Sequence, residues 1–430
     1  MKLIKKVLGA LMCLVFMLSA TGCSSVTNGK RIVRVATMQS ETHPEYLGLL
    51  KFKEYVEKEL GDKYEVQIFP NEILGAAQKA IELTQTGAID FTIVGTANLE
   101  TFASVYEIFS MPYLFTSEDA YHEVMNDTDY MNKIFSSTDE QGFRALTWYN
   151  AGTRNFYAKK EIDSPEDMKG LKIRVQQSPA SVAMCQAFGA AASPMSFGEV
   201  YTAIQQGVID GAENNELALT SNKHGEVAKY FSYNKHQMIP DLLIGNLSFL
   251  NGLSKEERKV FYKAAELSNE EECKQWDVQV KEAKKVALEY LQSYKDNIKT
   301  ALDNGTVILA TGNSFEIFGQ SVTDCDGIKH EGLSFFPYET VEGKERIVTD
   351  SLCTTLLCGG DIIGFVNKAS LTTGATSPLF DVKQGSGNSK DDNKEGVHYG
   401  NFYGTHLIGP VLIRNPQLCE YFADMLIKKQ

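Results

Sequence analysis

The sequence predicts an α/β fold with parallel sheets, and three observations predict it. Arg31-Ile32-Val33-Arg34-Val35-Ala36-Thr37 alternates as a strand, His43 to Leu60 carries a helical repeat closed by Gly61, and Tyr64 to Pro70 alternates again, which makes a βαβ opening. Ser164 to Asn215 holds a second run of this kind: a turn, the strand Leu171 to Val175, an apolar helix Ala180 to Ala190, a helix Phe197 to Gln206 ended by Gly207, and a strand ending at Glu213 and Asn214. The third is size. At 430 residues, 43% apolar and 23% charged, the chain can bury more than one core, so two or three domains are expected. A formal net charge of -13 argues against nucleic acid or an anionic membrane surface as the main partner.

At the amino end, Lys2, Lys5 and Lys6 precede an apolar run from Val7 to Leu18, followed by Ser19-Ala20-Thr21-Gly22-Cys23. This is the layout of a secretory signal, and the run is short for a bilayer span. Its end resembles the lipobox of bacterial lipoproteins, with Ala20 where leucine is usual, which implies that residues 1–23 are a signal peptide and Cys23 a lipidated mature terminus. Residues 24–30 then read as a tether, and the folded part starts near Arg31 on the outer side of a membrane. The eight cysteines show no metal-type spacing: Cys353 and Cys358 are too far apart for Cys-x-x-Cys, and Cys185 lies in an apolar helix as a small hydrophobe.

The middle stretch carries chemistry. Pro165 and Gly170 punctuate it, and Arg174 alternates with Ile173 and Val175 on a strand whose carboxyl end faces a ligand crevice in an open α/β sheet. An arginine fork gives a carboxylate two parallel charge-assisted hydrogen bonds that lysine cannot reproduce. Pro165 to Arg174 and Gln205-Gln206-Gly207-Val208-Ile209-Asp210-Gly211-Ala212-Glu213-Asn214 resemble the DctP family, the extracytoplasmic binding proteins of TRAP transporters. The resemblance implies that Arg174 clamps a ligand carboxylate and that Asn214 contacts it. It also implies a second basic contact at Arg154, a lining role for Trp148 and Tyr149, and selection among ligand hydroxyls by Glu213 and by Gln78, which stands where the family has glutamate. His224 and His236 read as structural, since no nucleophile or carboxylate partner lies at a recognisable spacing.

Beyond Asp241 to Phe249, another strand, the stretch Asn251 to Glu257 reads as an N-cap with acidic residues in the first turn, starting a long helical region through about Leu291, and Trp276 is expected to pack across domains. After Gln292 the pattern changes. Thr306 to Gly319 reads as strand, sharp turn and helix, and resembles the nucleophile elbow of class I glutamine amidotransferase-like domains, with Gly312 in the cysteine position. Gly400 to Pro410 resembles that family's Gly-Thr-Tyr-Leu-His-Gly-Pro, with Ile408 in the histidine position and His406 two residues away. Without thiolate and base, glutamine hydrolysis has no machinery. Gly385 to Asn393 reads as an exposed loop, and the strands that should precede the elbow are absent, which leaves apolar strands without a full covering layer.

The expectation is therefore a two-lobed, periplasmic-binding-protein-like α/β domain over 31–292, type II-like with long interdomain helices and crossovers near 150 and 235. A partial amidotransferase-like segment follows over 294–430. Its function would be capture of a small organic acid, a carboxylate or sugar acid, by a lipid-anchored extracytoplasmic protein for a TRAP permease, with no cofactor, no metal and no catalytic residue. The alternatives are an inactive amidotransferase-like protein and a non-functional fusion or misjoined chain.

Overall fold

The computed structural model describes residues 26–427 except 28, 116, 163, 325–326, 390–391 and 409–410. The signal segment 1–23 with Cys13 and Cys23, part of the 24–30 tether, and Cys325 lie outside the described residues. The chain divides into two compact units, Met1–Ala283 and Lys284–Gln430.

The first unit opens with β1 (Val26–Thr27), β2 (Lys30–Ala36), α1 (Pro44–Leu60), β3 (Tyr64–Phe69), α2 (Ala77–Thr86), β4 (Phe91–Gly95), α3 (Glu118–Asn126), α4 (Thr128–Phe135) and β5 (Phe143–Tyr149). The chain then passes to a second sheet through β6 (Arg154–Ala158), β7 (Lys172–Val175), α5 (Pro179–Ala187), β8 (Ala191–Pro194), α6 (Val200–Gln205), β9 (Gly211–Asn214), α7 (Glu216–Thr220) and β10 (Tyr230–Gln237). It returns with β11 (Asp241–Asn246), α8 (Leu247–Gly252) and the long α9 (Lys255–Ser293). The first sheet has the order β1-β2-β4-β11-β5 with β3 also on β2, and the second the order β10-β6-β9-β7-β8. Strands β2, β3 and β4 are parallel, as are β7, β8 and β9, while β11 and β6 run antiparallel to their neighbours. The two passages between sheets lie at 150–153 and 238–240.

Alternation on β2 buries Val33 and Val35, and the repeat Leu49, Phe52, Val56 turns one face of α1 onto them. Phe52, Phe91 and Phe261 close that core, with Phe91 stacked on Phe261 at 5.9 Å and edge-on to Phe52 at 5.4 Å. Burying each contributes roughly 1.5–3 kcal/mol. The second lobe has its own core of Phe156, Ile173, Val175, Met184 and Cys185. Each lobe is thus a separate packed layer, joined by two short crossings and by α9. The five cysteines among the described residues are free, and no helix among them is long and apolar enough to cross a membrane.

In the second unit α10 (Lys295–Asp303) leads to β12 (Ile308–Thr311), a 3-10 turn over Gly312–Phe318, β13 (Ser321–Thr323) and β14 (Lys329–Glu331). A long pair follows, β15 (Glu339–Thr354) and β16 (Asp361–Thr373), then β17 (Phe380–Gln384), β18 (Lys394–Glu395), β19 (Val397–Tyr399), β20 (Phe402–Thr405), β21 (Leu407–Ile408), α11 (Val411–Arg414) and α12 (Pro416–Ile427). The expectation of uncovered strands is corrected here. Among the described residues β12 pairs in parallel with β20 and β13 with β15, and a seven-stranded sheet built on the β15–β16 hairpin supplies the missing layer. Phe315, Phe318, Tyr338 and Phe402 are buried in one core, and Val366, Leu407 and Phe422 in another. The stretch Gly385 to Asn393, expected to be exposed, buries Gly387 and Asn388, because Lys368 Nζ donates to both of their carbonyls at 2.6 and 3.3 Å.

Candidate functional site

At one end of the second sheet the carboxyl ends of β7 and β9 meet the amino end of β6. The register Asn155↔Asn214 and Arg174↔Ala212 sets Arg154, Asn214 and Arg174 on three adjacent strands. All three are buried, and all three line one cavity. Arg154 lays its fork on Glu213: Nε donates to Oε2 at 2.5 Å, Nη2 to Oε1 at 2.9 Å and to the Glu213 carbonyl at 2.9 Å, while Nη1 donates to Asn214 Oδ1 at 3.2 Å. Burial works against the Arg154 charge, but the Glu213 carboxylate outweighs it and moves its pKa up. Burial likewise pushes the Glu213 carboxyl up, and Arg154 with His236 overcomes it, holding the group down at about 2.

Arg174 is placed differently. Its Nε and Nη2 both donate to the Met195 carbonyl, at 3.1 and 3.0 Å, and its guanidinium lies 5.8 Å from the Phe197 ring centre. Burial lowers its pKa. Nη1 has no hydrogen-bond partner among the described residues, so a cation with donor capacity remains at the cavity wall.

The opposite wall comes from the first lobe. Antiparallel pairing of β11 with β4 sets Asp241 beside Gly95, at the carboxyl end of β4. A side chain at Gly95 would crowd this corner, since a Cβ there would stand 2.8 Å from Asp241 Oδ1 and 3.0 Å from Gln176 Nε2. His43 caps α1, its Nδ1 accepting from Glu45 N at 3.3 Å, and burial lowers its pKa to about 3, so the ring is neutral. Glu45, Gln39, Asn98 and Trp276 complete this side.

Two carboxylates also reach from the first lobe to the second. Glu72 Oε1 accepts from Gly198 N at 3.3 Å. Glu100 accepts from Ser178 Oγ at 2.8 Å and from Ala180 N at 3.3 Å, at the amino end of α5 where the helix dipole favours an anion. Helix α9 fastens the first crossing: Ser268 Oγ meets Tyr149 Oη at 2.7 Å, and Glu272 Oε2 accepts from Asn150 N at 2.9 Å.

Of the residues expected from sequence, Arg174, Arg154 and Asn214 come together. Glu213, Gln78, Trp148 and Tyr149 are not among the cavity-lining residues. Glu213 lies fully buried behind Arg154, Gln78 Nε2 donates to the Asn98 carbonyl at 3.1 Å, Trp148 packs edge-on against Tyr121 at 5.6 Å, and Tyr149 bonds Ser268. His224 bonds the Tyr157 hydroxyl at 2.7 Å, and His236 stacks on Phe156. Sequence reasoning missed His43, Glu45, Gln176 and Asp241. The signals were an acidic residue in the first turn after β2 and another opening β11, each at the end of its strand where ligands bind.

In the second unit Gly312 has φ +63°, and a Cβ built on it would stand 3.0 Å from Ile408 Cγ2. The elbow position and the expected base position are thus neighbours, and neither carries a thiol or an imidazole. His406 is buried with Nε2 3.1 Å from Glu316 Oε1 and Nδ1 3.3 Å from Glu395 Oε1.

Comparison with known proteins follows this division. The family model for bacterial extracellular solute-binding protein, family 7, matches residues 35–298, and that for the CobB/CobQ-like glutamine amidotransferase domain matches residues 280–416. An uncharacterized protein, YiiZ of Salmonella typhimurium, is 39% identical over 266 residues, covering 62% of this chain and 81% of that protein. A TRAP periplasmic solute binding protein from Anaerococcus prevotii, solved with bound α/β D-glucuronate, is 56% identical with a TM-score of 0.60, over 60% of this chain and 85% of that one. One from Sulfitobacter, solved with bound β-D-galacturonate, is 31% identical with a TM-score of 0.58, over 60% and 86%.

Proposed function

The chain belongs to the bacterial extracellular solute-binding proteins of family 7, and from that premise we propose that it captures a hexuronate outside the cell and hands it to a TRAP permease. Cys23 is the lipid anchor in this reading. One observation carries it: Arg174 is buried at a cavity wall with Nη1 unspent, beside Arg154 and Asn214. A carboxylate there gains a charge-assisted hydrogen bond from a desolvated cation. Arg154, neutralised by Glu213, holds Asn214 in place rather than supplying a second free charge. The uronates bound by the Anaerococcus and Sulfitobacter proteins support a sugar acid as the ligand class.

Calorimetry of the full chain with D-glucuronate, D-galacturonate, succinate and a keto acid tests the reading, with a uronate expected to bind tightest. Arg174→Met should cost about 2–5 kcal/mol of binding, roughly 30-fold to several thousand-fold. Unchanged uronate affinity in that variant contradicts the clamp. The second unit is assigned no glutaminase chemistry, since positions 312 and 408 offer no thiolate and no base. Ammonia release from glutamine by the full chain would overturn that assignment.

A further inference from the structure

We propose that Glu45 and Asp241 share one proton and form the hydroxyl-recognising wall of the cavity, one carboxyl donating and the other accepting, so that ligand capture is linked to that proton. This rests on the sugar-acid reading above and specifies how the sugar end is recognised.

The two carboxyls come from different elements, the first turn of α1 and the first residue of β11, and lie close enough for each to act on the other's charge. Both line the cavity. Glu45 is 2% exposed, and its Oε1 has no hydrogen-bond partner, although the side chain borders an open space. Its Oε2 accepts from Thr37 Oγ1 at 3.1 Å.

The surroundings offer almost no positive charge. From the start of α1, His43 Nδ1 lies 3.9 Å from Glu45 Oε1, but that nitrogen accepts from Glu45 N and the ring is neutral. From α9, Glu272 is fully buried; its Oε2 takes the Asn150 amide, its Oε1 is unpartnered, and Cys273 and Asp277 adjoin it. From α3 comes the buried, unpartnered Tyr121 hydroxyl, and from β5 the Tyr149 hydroxyl. The cation that acts on Asp241 is Arg154, and its charge is already balanced by Glu213.

Three carboxyls around one dry corner with one spent cation cannot all ionise. Burial, then Asp241 and Glu272, push the Glu45 carboxyl up, and burial pushes Asp241 and Glu272 up. Two carboxylates could only accept hydrogen bonds. A pair holding one proton presents a donor and an acceptor side by side, and vicinal hydroxyls of a sugar acid present the complementary pair. A second carboxylate, as in a linear dicarboxylate, would meet an acidic wall instead. The wall therefore selects hydroxylated acids, while Arg174 selects acids as such.

The sign is fixed by linkage. The liganded pair, donating to a hydroxyl, holds its proton to higher pH than the free pair. Affinity is then constant below the free pair's titration and falls as pH rises through it, by about tenfold per pH unit. The experiment is calorimetry of the full chain with D-glucuronate from pH 5 to 9, in two buffers of different ionisation enthalpy, on the unaltered protein, Glu45→Gln and Asp241→Asn. Expected are a falling affinity with proton uptake above the break in the unaltered protein, and a flattened profile in Glu45→Gln, which keeps a donor. Glucuronate binding with no pH slope and no buffer dependence overturns this proposal and leaves the uronate reading intact. A slope of full size retained in both variants also overturns it. No uronate binding at any pH, with another acid bound, removes both.

Discussion

Glu213 is a carboxylate without solvent access whose charge is kept by Arg154 and His236. Its folded-state pKa lies below the ordinary value, so its stabilisation is complete above the ordinary carboxylate range and is lost as pH falls toward about 2. Glu213→Gln should destabilise the protein at pH 7 by about 3–5 kcal/mol, because it leaves Arg154 buried and unpaired. It should also shallow the acid limb of the stability curve; denaturant melts at pH 7 and pH 3 check both. Glu272 has the opposite sign, its pKa raised by burial, so stability it lends at low pH is lost as pH rises. Glu272→Gln should accordingly melt later than the unaltered protein at pH 8, and an earlier melt counts against this. At this scale the placing of Arg174 and Asn214 together was legible from strand alternation and glycine stops, and that of Arg154 from the family resemblance. The commitment of Glu213 to an arginine was not: it depends on the register of β9 with β6, some sixty residues away, which no local pattern encodes.

Strands and helices of the first unit were largely readable, because apolar periodicity and glycine stops agree there. Helix α1 starts where a side chain caps it, and α6 ends just before Gly207 with φ +73°. The β15–β16 hairpin was not readable, and β16 shows why. Its inward set is Ile362, Gly364, Val366, Lys368, Ser370 and Thr372, half of it polar, so alternation of burial is not alternation of hydrophobicity. The first crossing between lobes has a tight requirement of its own. Gly152 has φ +63°, and a Cβ there would stand 2.6 Å from Trp276 Cζ2. Gly152→Ala should cost about 1–3 kcal/mol and lower the melting temperature; an unchanged melt would show that α9 yields at this point.

The molecule as a whole consists of two units with separate cores. Scanning calorimetry should show D-glucuronate raising the melting of the first unit alone, since the cavity lies wholly within it. Within that unit the lobes touch through Glu100, which bridges from beyond β4 to Ser178 and Ala180. Glu100→Ala should expand the free protein, seen as a larger radius of gyration by small-angle scattering, with faster ligand release. That bridge is made entirely of protein atoms, so it holds the two lobes together without any ligand between them. In the transport cycle proposed above, opening the cleft would require Glu100 to part from the amino end of α5 as well as the acid to leave Arg174.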